Sequence, residues 1–165
     1  MSDFAELELV YRAEFGNLVR SLTLLAGSRD SATDAVQEAF VIAGTRWNEV
    51  SLISQPAAWI RTVAVRKLLD GHRRASRWRM LIPAMARDEA KREPVVDPGQ
   101  GADLLEAVAA LPHQQRAAVV LFYIADWSID DVAAALRIAP GTVKSSLHDA
   151  RAHLRLTLTE ETSND

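Results

Sequence analysis

The sequence predicts an all-α fold composed of two small helical domains joined by a flexible linker. Alanine, the strongest helix former, accounts for 27 of the 165 residues, whereas aromatic residues make up only 6%. Apolar residues recur at spacings of three and four on both sides of residues 93–101, a stretch that holds two prolines and two glycines. We therefore place the domains at residues 1–79 and 103–158, the linker at 80–102 and a frayed tail at 159–165.

The first two helices of the chain are predicted from their apolar faces and their ends. The first helix has an apolar face from Phe4 to Leu25 and ends at Gly27, a residue suited to a left-handed cap. The second helix is predicted to begin at a capping box formed by Ser31 and Asp34. Its apolar residues are Val36, Ala39, Phe40, Ala43 and Trp47.

A third helix begins at Pro56, because proline is well accommodated in the first turn of a helix. Residues 48–55 before it are predicted to form a loop, and the helix runs to the basic pair Arg73-Arg74. A further helix is expected over residues 77–92. The apolar residues of the helix after Pro56 are Trp59, Ile60, Val63, Ala64, Leu68 and Leu69.

The second domain reads as a helix-turn-helix with supporting helices. Ser128 and Asp131 form a capping box, residues 137–139 form a tight break, and Pro140 begins the next helix. The predicted helices are 103–110, 113–125, 128–137 and 140–157. In the last of these, Val143 and Leu147 face inward, and the outward residues are Thr142, Lys144, Ser145, Ser146, His148 and Arg151. Outward residues at this position meet base edges in the major groove of DNA, although an ordinary helical hairpin has the same local pattern.

The charge of the chain is segregated along its length. Residues 56–92 carry 10 basic and 3 acidic side chains, whereas residues 1–55 have a net charge of −4 and residues 93–165 a net charge of −6. Neutralisation of phosphates is local, so a basic segment can bind nucleic acid on a protein of net charge −3. The alternative explanation is that the segregation of charge only makes the two domains soluble.

Several classes of function are disfavoured by what the sequence lacks. It has no cysteine, so disulfides, zinc ribbons and thiol catalysis are excluded. The acidic, amphipathic N-terminus does not resemble a signal peptide, and no run of about 20 apolar residues occurs, so we expect a cytoplasmic protein without membrane insertion. His148 and His153 are five residues apart, a poor match to a helical zinc pair. We expect no catalytic residue, no metal and no cofactor.

Taken together, these motifs resemble those of the extracytoplasmic-function (ECF, group 4) sigma factors of the sigma-70 family, over nearly the whole chain. In the first domain the matching motifs are Asp34-x-Val36-Gln37-Glu38-x-Phe40 and Pro56-x-x-Trp59-Ile60-x-Thr62-x-Ala64, followed by Asp70 and Arg73-Arg74. In the second domain they are Leu111-Pro112-x-x-Gln115-Arg116, Gly141-Thr142-Val143-Lys144-Ser145 and Leu147-His148-x-Ala150-Arg151. The order and spacing of the motifs identify the family better than any one of them.

The resemblance implies three sets of binding residues. Residues implied to bind the clamp helices of the largest subunit of core RNA polymerase are Asp34, Gln37, Glu38, Phe40 and Arg46. Residues implied to bind the −10 promoter element are Asn48, Trp59, Arg61, Arg66, Asp70, Arg73 and Arg74. Residues implied to bind the −35 element are Pro140, Thr142, Lys144, Ser145, Ser146, His148 and Arg151. A solvated helix face is the alternative reading of Gln37 and Glu38, and a core position that of Trp59.

The resemblance further implies three partners: core RNA polymerase (its clamp and flap regions), promoter DNA and an anti-sigma factor. The chain departs from the family pattern at Arg66, Ala139, Ser146 and Asp149. Because Ala139 stands where the family has a Ser or Thr cap, the last helix starts about 1 kcal/mol less favourably. The rival functions are a conventional helix-turn-helix regulator that acts without core polymerase, and a helical adaptor. The conventional regulator leaves the first domain unexplained.

Overall fold

The computed structural model describes residues 3–81 and 101–162, and every regular element within these ranges is helical. The chain divides into two compact units, Met1–Glu93 and Pro94–Asp165. The predicted all-α class is therefore confirmed for the described residues.

The first unit is built from three long helices and one short one. The helices are α1 (Asp3–Ala26), α2 (Arg29–Thr45), α3 (Trp47–Val50) and α4 (Pro56–Leu81). Helix α2 packs against both α1 and α4, and α1 also contacts α4. The largest fully buried side chains of this core are Leu22, Leu25, Val36, Val50, Ile60 and Val65.

The junction between α1 and α2 follows the prediction at Gly27 but not at Ser31. Gly27 has a φ of 71°, the left-handed conformation expected of a glycine after a helix. The N-cap of α2 is Ser28, whose hydroxyl oxygen accepts a hydrogen bond from the Ser31 backbone N–H at 3.3 Å. The predicted capping box at Ser31 is wrong, because the left-handed turn at Gly27 lets the helix begin three residues earlier.

The predicted loop 48–55 is partly helical. Arg46 ends α2 and precedes α3, with φ −121° and ψ 23°, outside the helical region. The short helix α3 buries Trp47 and Val50, so this segment is held against the first unit by its apolar side chains. Asn48 lies in α3 and is exposed.

The second unit packs its shorter helices around one long helix. The elements are α5 (Ala102–Ala109), α6 (His113–Val119), a π-helical turn (Val120–Ile124), α7 (Ile129–Leu136) and α8 (Pro140–Thr162). Helices α5, α6 and α7 each contact α8. The largest fully buried side chains here are Val120, Leu121, Val132 and Val143.

The helix predicted over residues 113–125 is α-helical only in its first part, and its last part is the π-helical turn. The Ala125 backbone N–H donates to the Val120 carbonyl oxygen at 2.9 Å, five residues back, where an α-helix would bond four residues back. Asp126 follows with a φ of 61°, and the chain turns toward α7. The wider turn leaves Tyr123 and Ile124 exposed at the surface of the unit.

The ends of α4 and α8 differ from the predicted boundaries. Helix α4 continues through Leu81, and the rest of the helix predicted over 77–92 lies outside the described residues. Helix α8 continues through Thr162, five residues beyond the predicted end. Across the parts of the chain that the structure describes, no helix is long and apolar enough to cross a membrane, and no three His, Asp or Glu side chains are grouped to hold a metal ion.

Candidate nucleic-acid and protein interfaces

The predicted helix-turn-helix is present in the second unit. The Ser128 hydroxyl oxygen accepts from the Asp131 N–H at 3.1 Å and caps α7. Arg137 ends α7 in the left-handed conformation, with φ 56° and ψ 45°. Helix α8 then starts at Pro140, and the Ala139 carbonyl oxygen accepts from the N–H groups of Thr142 and Val143 at 2.9 and 3.1 Å. The start of α8 thus depends on backbone hydrogen bonds, since the alanine has no capping side chain.

One face of α8 is buried and an exposed side next to it carries a basic stripe. Val143, Leu147 and Ala150 are buried against the rest of the unit. At about 100° per residue, four exposed basic side chains lie within about 60° of one another around the helix. We call this set the basic stripe, and its members are Lys144, His148, Arg151 and Arg155. Ser145 and Pro140 are exposed nearby and Thr142 is half-buried.

Ser146 does not belong to this exposed surface, contrary to the prediction. Its side chain is only 6% exposed, and its hydroxyl oxygen accepts a hydrogen bond from Gln114 Nε2 at 3.0 Å. The residue lies three positions after Val143 and four before Ala150, so helical geometry places it on the buried face. Its predicted outward position is therefore wrong, and its hydrogen bond joins α8 to α6.

Two exposed contacts connect α8 to the segment before α7. Arg151 Nη1 donates to the hydroxyl oxygen of Tyr123 at 2.7 Å. His153 Nδ1 and Gln115 Oε1 are 2.7 Å apart. Asp149, which departs from the family pattern, lies about 140° around the helix from Lys144 and therefore outside the basic stripe.

In the first unit, two cations of α4 are held by carboxylates from other helices. Arg61 makes a bidentate ion pair with Glu14 of α1, with Nε–Oε2 and Nη2–Oε1 distances of 2.8 and 2.7 Å. Lys67 Nζ lies 2.8 Å from Glu38 Oε1 of α2. Arg61 therefore joins α4 to α1, and the predicted phosphate contact would compete with Glu14.

The remaining residues predicted to bind the −10 element lie on α3 and α4 and differ in how exposed their side chains are. Arg73 and Arg74 are exposed in the later turns of α4, next to Arg77, which is also exposed. Trp59, Arg66 and Asp70 are half-buried. The structure thus brings the exposed cations together towards the C-terminal end of α4 and leaves Asn48 apart from them, on α3.

Three of the residues predicted to bind polymerase share an exposed face of α2, whereas Arg46 follows the end of the helix and Phe40 is buried. Asp34 and Gln37 are exposed, Glu38 is exposed while paired with Lys67, and Arg46 pairs with Glu49 at 2.6 Å. Phe40 is 7% exposed and packs edge-on against the Tyr11 ring, with centroids 5.0 Å apart. The side chain of Phe40 therefore completes the core between α1 and α2, as its place on the apolar face of α2 indicates, and its predicted contact with polymerase stays a prediction.

One apolar residue of this face was not predicted. Val41 is 64% exposed and lies one turn after Gln37, on the same side of α2. The signal in the sequence is the spacing of four between the two residues, which puts an exposed apolar side chain beside an exposed amide. Val41 adds apolar surface to this polar face, although a single exposed apolar side chain is common on proteins.

Comparison with known proteins assigns the chain to a family. The profile "Sigma-70 region 2" matches residues 11–78 and "Sigma-70, region 4" matches residues 102–154. The ECF RNA polymerase sigma factor SigL of Mycobacterium tuberculosis is 33% identical over 164 residues, covering 96% of this chain and 92% of SigL. The RNA polymerase sigma-E factor of Streptomyces coelicolor is 30% identical over 160 residues, covering 94% of this chain and 87% of that protein.

One solved structure has a similar fold. The sigma factor RpoE from Bartonella quintana, crystallised with the anti-sigma factor NepR, matches with a TM-score of 0.75 and 26% identity. The match covers 96% of this chain and 98% of that chain. The chain belongs to the ECF sigma factors of the sigma-70 family. The match of the first unit to region 2 argues against a conventional helix-turn-helix regulator.

Proposed function

We propose that this chain is a dissociable subunit of bacterial RNA polymerase that selects promoters through residues of both units. Core polymerase binds the exposed face of α2, the −10 element binds α3 and the later turns of α4, and the −35 element binds α8. The polymerase-binding residues are Asp34, Gln37, Glu38, Val41 and Arg46. The DNA-binding residues are Asn48, Trp59, Arg66, Asp70, Arg73 and Arg74 in the first unit, and Pro140, Thr142, Lys144, Ser145, His148 and Arg151 in the second.

The observation that carries this proposal is the basic stripe on the second helix of a helix-turn-helix. Lys144 and Arg151 lie two helical turns apart on one side of α8, and both are exposed cations of the kind that contact DNA phosphates. His148 lies near this line, and Ser145 lies about 60° from His148 around the helix. Both are exposed and carry hydrogen-bonding groups that can read base edges in the major groove. The match of this unit to sigma-70 region 4 supports the same assignment.

The first unit has the chemistry needed to bind separated DNA strands. Arg73, Arg74 and Arg77 present cations for phosphates, and the half-buried Trp59 offers part of its ring surface for an unpaired base. Arg61 contributes by joining α4 to α1. We give Arg61 this supporting role because its guanidinium is paired with Glu14.

The chain acts by positioning polymerase and not as an enzyme. It needs no cofactor for this role, since binding of the two promoter elements orients the polymerase on the DNA. A transcription initiation factor meets its DNA in the bacterial cytoplasm, and we propose that compartment for this chain. The domain limits that this role uses are residues 1–79 for region 2, 80–102 for the linker and 103–158 for region 4.

Run-off transcription with core polymerase and a library of promoter fragments tests the proposal. We expect initiation at defined start sites only when the chain is present, and its loss in the Lys144→Ala, His148→Ala double variant. The matched control is Arg20→Ala, which removes an exposed cation of α1 outside the proposed interfaces. Specific binding to duplex DNA without any binding to core polymerase would contradict the proposal and favour a conventional regulator.

A second proposal concerns an inhibitor. We propose that an anti-sigma factor holds this chain inactive, because the solved relative RpoE is bound to the anti-sigma factor NepR. Exposed large apolar residues in both units, among them Leu52 and Leu156, offer surface for such a partner. A protein captured from the source cell must, when purified, abolish run-off transcription by this chain and spare transcription by the primary sigma factor. A captured protein without that effect would contradict the proposal.

A further inference from the structure

Tyr123 lies in the π-helical turn and has a contact that the helix-turn-helix itself does not require. The turn places its side chain at the surface, where it is 52% exposed. Phe122 packs against it edge-on, with ring centroids 4.9 Å apart, and orients the ring. π-Helical turns occur often at functional sites, and this one exposes a polar aromatic side chain beside α8.

The contact with Arg151 uses the Tyr123 hydroxyl group only as an acceptor. Arg151 Nη1 donates to the tyrosine oxygen at 2.7 Å, so the oxygen serves as the acceptor. The hydroxyl proton is not used in that bond, and it can be donated to a further acceptor. A guanidinium has five N–H groups, so Arg151 also keeps donors for a second partner.

The position of Arg151 indicates what that further acceptor is. Arg151 follows Lys144 by seven residues, which places it about 20° away around the helix and about 10 Å along it. Both side chains are exposed, and Arg155 and His148 complete the same stripe. If this side of α8 faces DNA so that Lys144 contacts it, Arg151 and the neighbouring Tyr123 hydroxyl group face the same DNA.

We propose that Tyr123 and Arg151 together form a clamp for one phosphate group of the −35 DNA. The guanidinium donates to one phosphate oxygen and the tyrosine hydroxyl group donates its proton to another. Tyrosine is among the side chains that contact DNA phosphates, and the neighbouring cation strengthens the hydroxyl group as a donor. The clamp is assembled from two segments, so phosphate binding at the far end of the stripe depends on the π-helical turn. This inference rests on the proposed function of α8.

The experiment measures the affinity of holoenzyme for the promoter fragment selected by run-off transcription, with Tyr123→Phe, Arg151→Ala and both changes. We expect Tyr123→Phe to weaken binding roughly two- to tenfold, the range for a lost hydrogen bond, without altering the salt dependence. Arg151→Ala removes a charge, so the slope of log K against log salt falls by about one unit. Tyr11→Phe is the matched control, because it removes the hydroxyl group of the other tyrosine in the chain.

Methylphosphonate substitution, one phosphate at a time, separates a clamp from a purely structural contact. We expect neutralisation of one phosphate in the −35 element to weaken promoter binding by the unmodified protein. The same neutralisation should have little further effect on binding by Tyr123→Phe or Arg151→Ala. Unchanged affinity of Tyr123→Phe, or a loss that no single phosphate shares with Arg151→Ala, overturns the clamp. If Arg151→Ala and Lys144→Ala both bind normally, the proposed −35 function of α8 fails and the clamp fails with it.

Discussion

Arg137 makes the turn of the helix-turn-helix in a conformation that favours glycine. Its φ of 56° and ψ of 45° lie in the left-handed region, which costs a residue with a Cβ roughly 1 kcal/mol. The side chain is exposed. We therefore expect Arg137→Gly to raise the free energy of unfolding by about 0.5–1 kcal/mol.

Thermal unfolding of the full chain checks this expectation, with Arg137→Ala as the control. Alanine removes the same side chain but keeps the Cβ, so it relieves none of the backbone strain. Equal stability of the two variants would show that the arginine side chain, and not the backbone conformation, sets the effect.

Ser146 and His148 are only two positions apart in the sequence, but Ser146 is buried and His148 is exposed. Ser146→Ala leaves Gln114 Nε2 without its hydrogen-bond acceptor, so we expect a loss of stability of about 1 kcal/mol with little change in promoter preference. His148→Ala removes an exposed group, so we expect nearly unchanged stability and weaker −35 discrimination. Urea denaturation and run-off transcription on −35 variants measure the two effects. An exchange of these outcomes would show that the faces of α8 are assigned incorrectly.

Among the helices of the first unit, α1 and α4 are joined by the ion pair between Glu14 and Arg61. The side chains are 19% and 34% exposed, and the pair has two hydrogen bonds. Such a pair is more shielded from solvent than a surface pair, and removal of one partner leaves a cation half-buried. We expect Glu14→Gln to lower the free energy of unfolding of this unit by about 1–2 kcal/mol.

The matched control for Glu14→Gln is Glu8→Gln on the same helix. Glu8 pairs with Arg12 at 2.6 Å, one turn along α1, and both side chains are well exposed. An exposed pair of this spacing contributes only about 0.3–0.5 kcal/mol. Urea denaturation of both variants should therefore separate them clearly, and equal losses would show that the pair to α4 adds no more than a surface pair.

For the molecule as a whole, the net negative charge lowers the affinity of the free chain for DNA. Residues 93–165, which include the basic stripe, have a net charge of −6, and the full chain a net charge of −3. The negative remainder opposes the approach of DNA, so the stripe binds weakly unless polymerase contributes further contacts. We expect the free chain at physiological salt to bind the selected promoter at least about 100-fold more weakly than the holoenzyme does.

Fluorescence anisotropy on one labelled promoter fragment measures both affinities under the same conditions. A scrambled fragment of equal length provides the control for non-specific binding, which depends on charge alone. Promoter binding as tight without core polymerase as with it would contradict the prediction, and would mean that the acidic surface does not limit the free chain.

The sequence alone determined the features that depend on neighbouring residues. The all-α class, the left-handed end at Gly27, the Ser128 cap and the helix starts at Pro56 and Pro140 were all predicted correctly. Each depends on backbone preferences or on hydrogen bonds within a few residues, and these are encoded locally. The motif spacings were equally local, and they led to the family that the comparisons established.

Only the tertiary structure decided which side chains remain available for partners. Tyr11 of another helix covers Phe40, which the apolar pattern of α2 already placed inward, and Arg61 is bound by a carboxylate 47 positions earlier in the chain. Ser146 is turned toward Gln114, and the π-helical turn brings Tyr123 to Arg151, 28 positions later. The periodicity of a helix predicts its apolar face. Packing between helices decides whether a residue at the edge of that face contacts the core, another side chain or DNA.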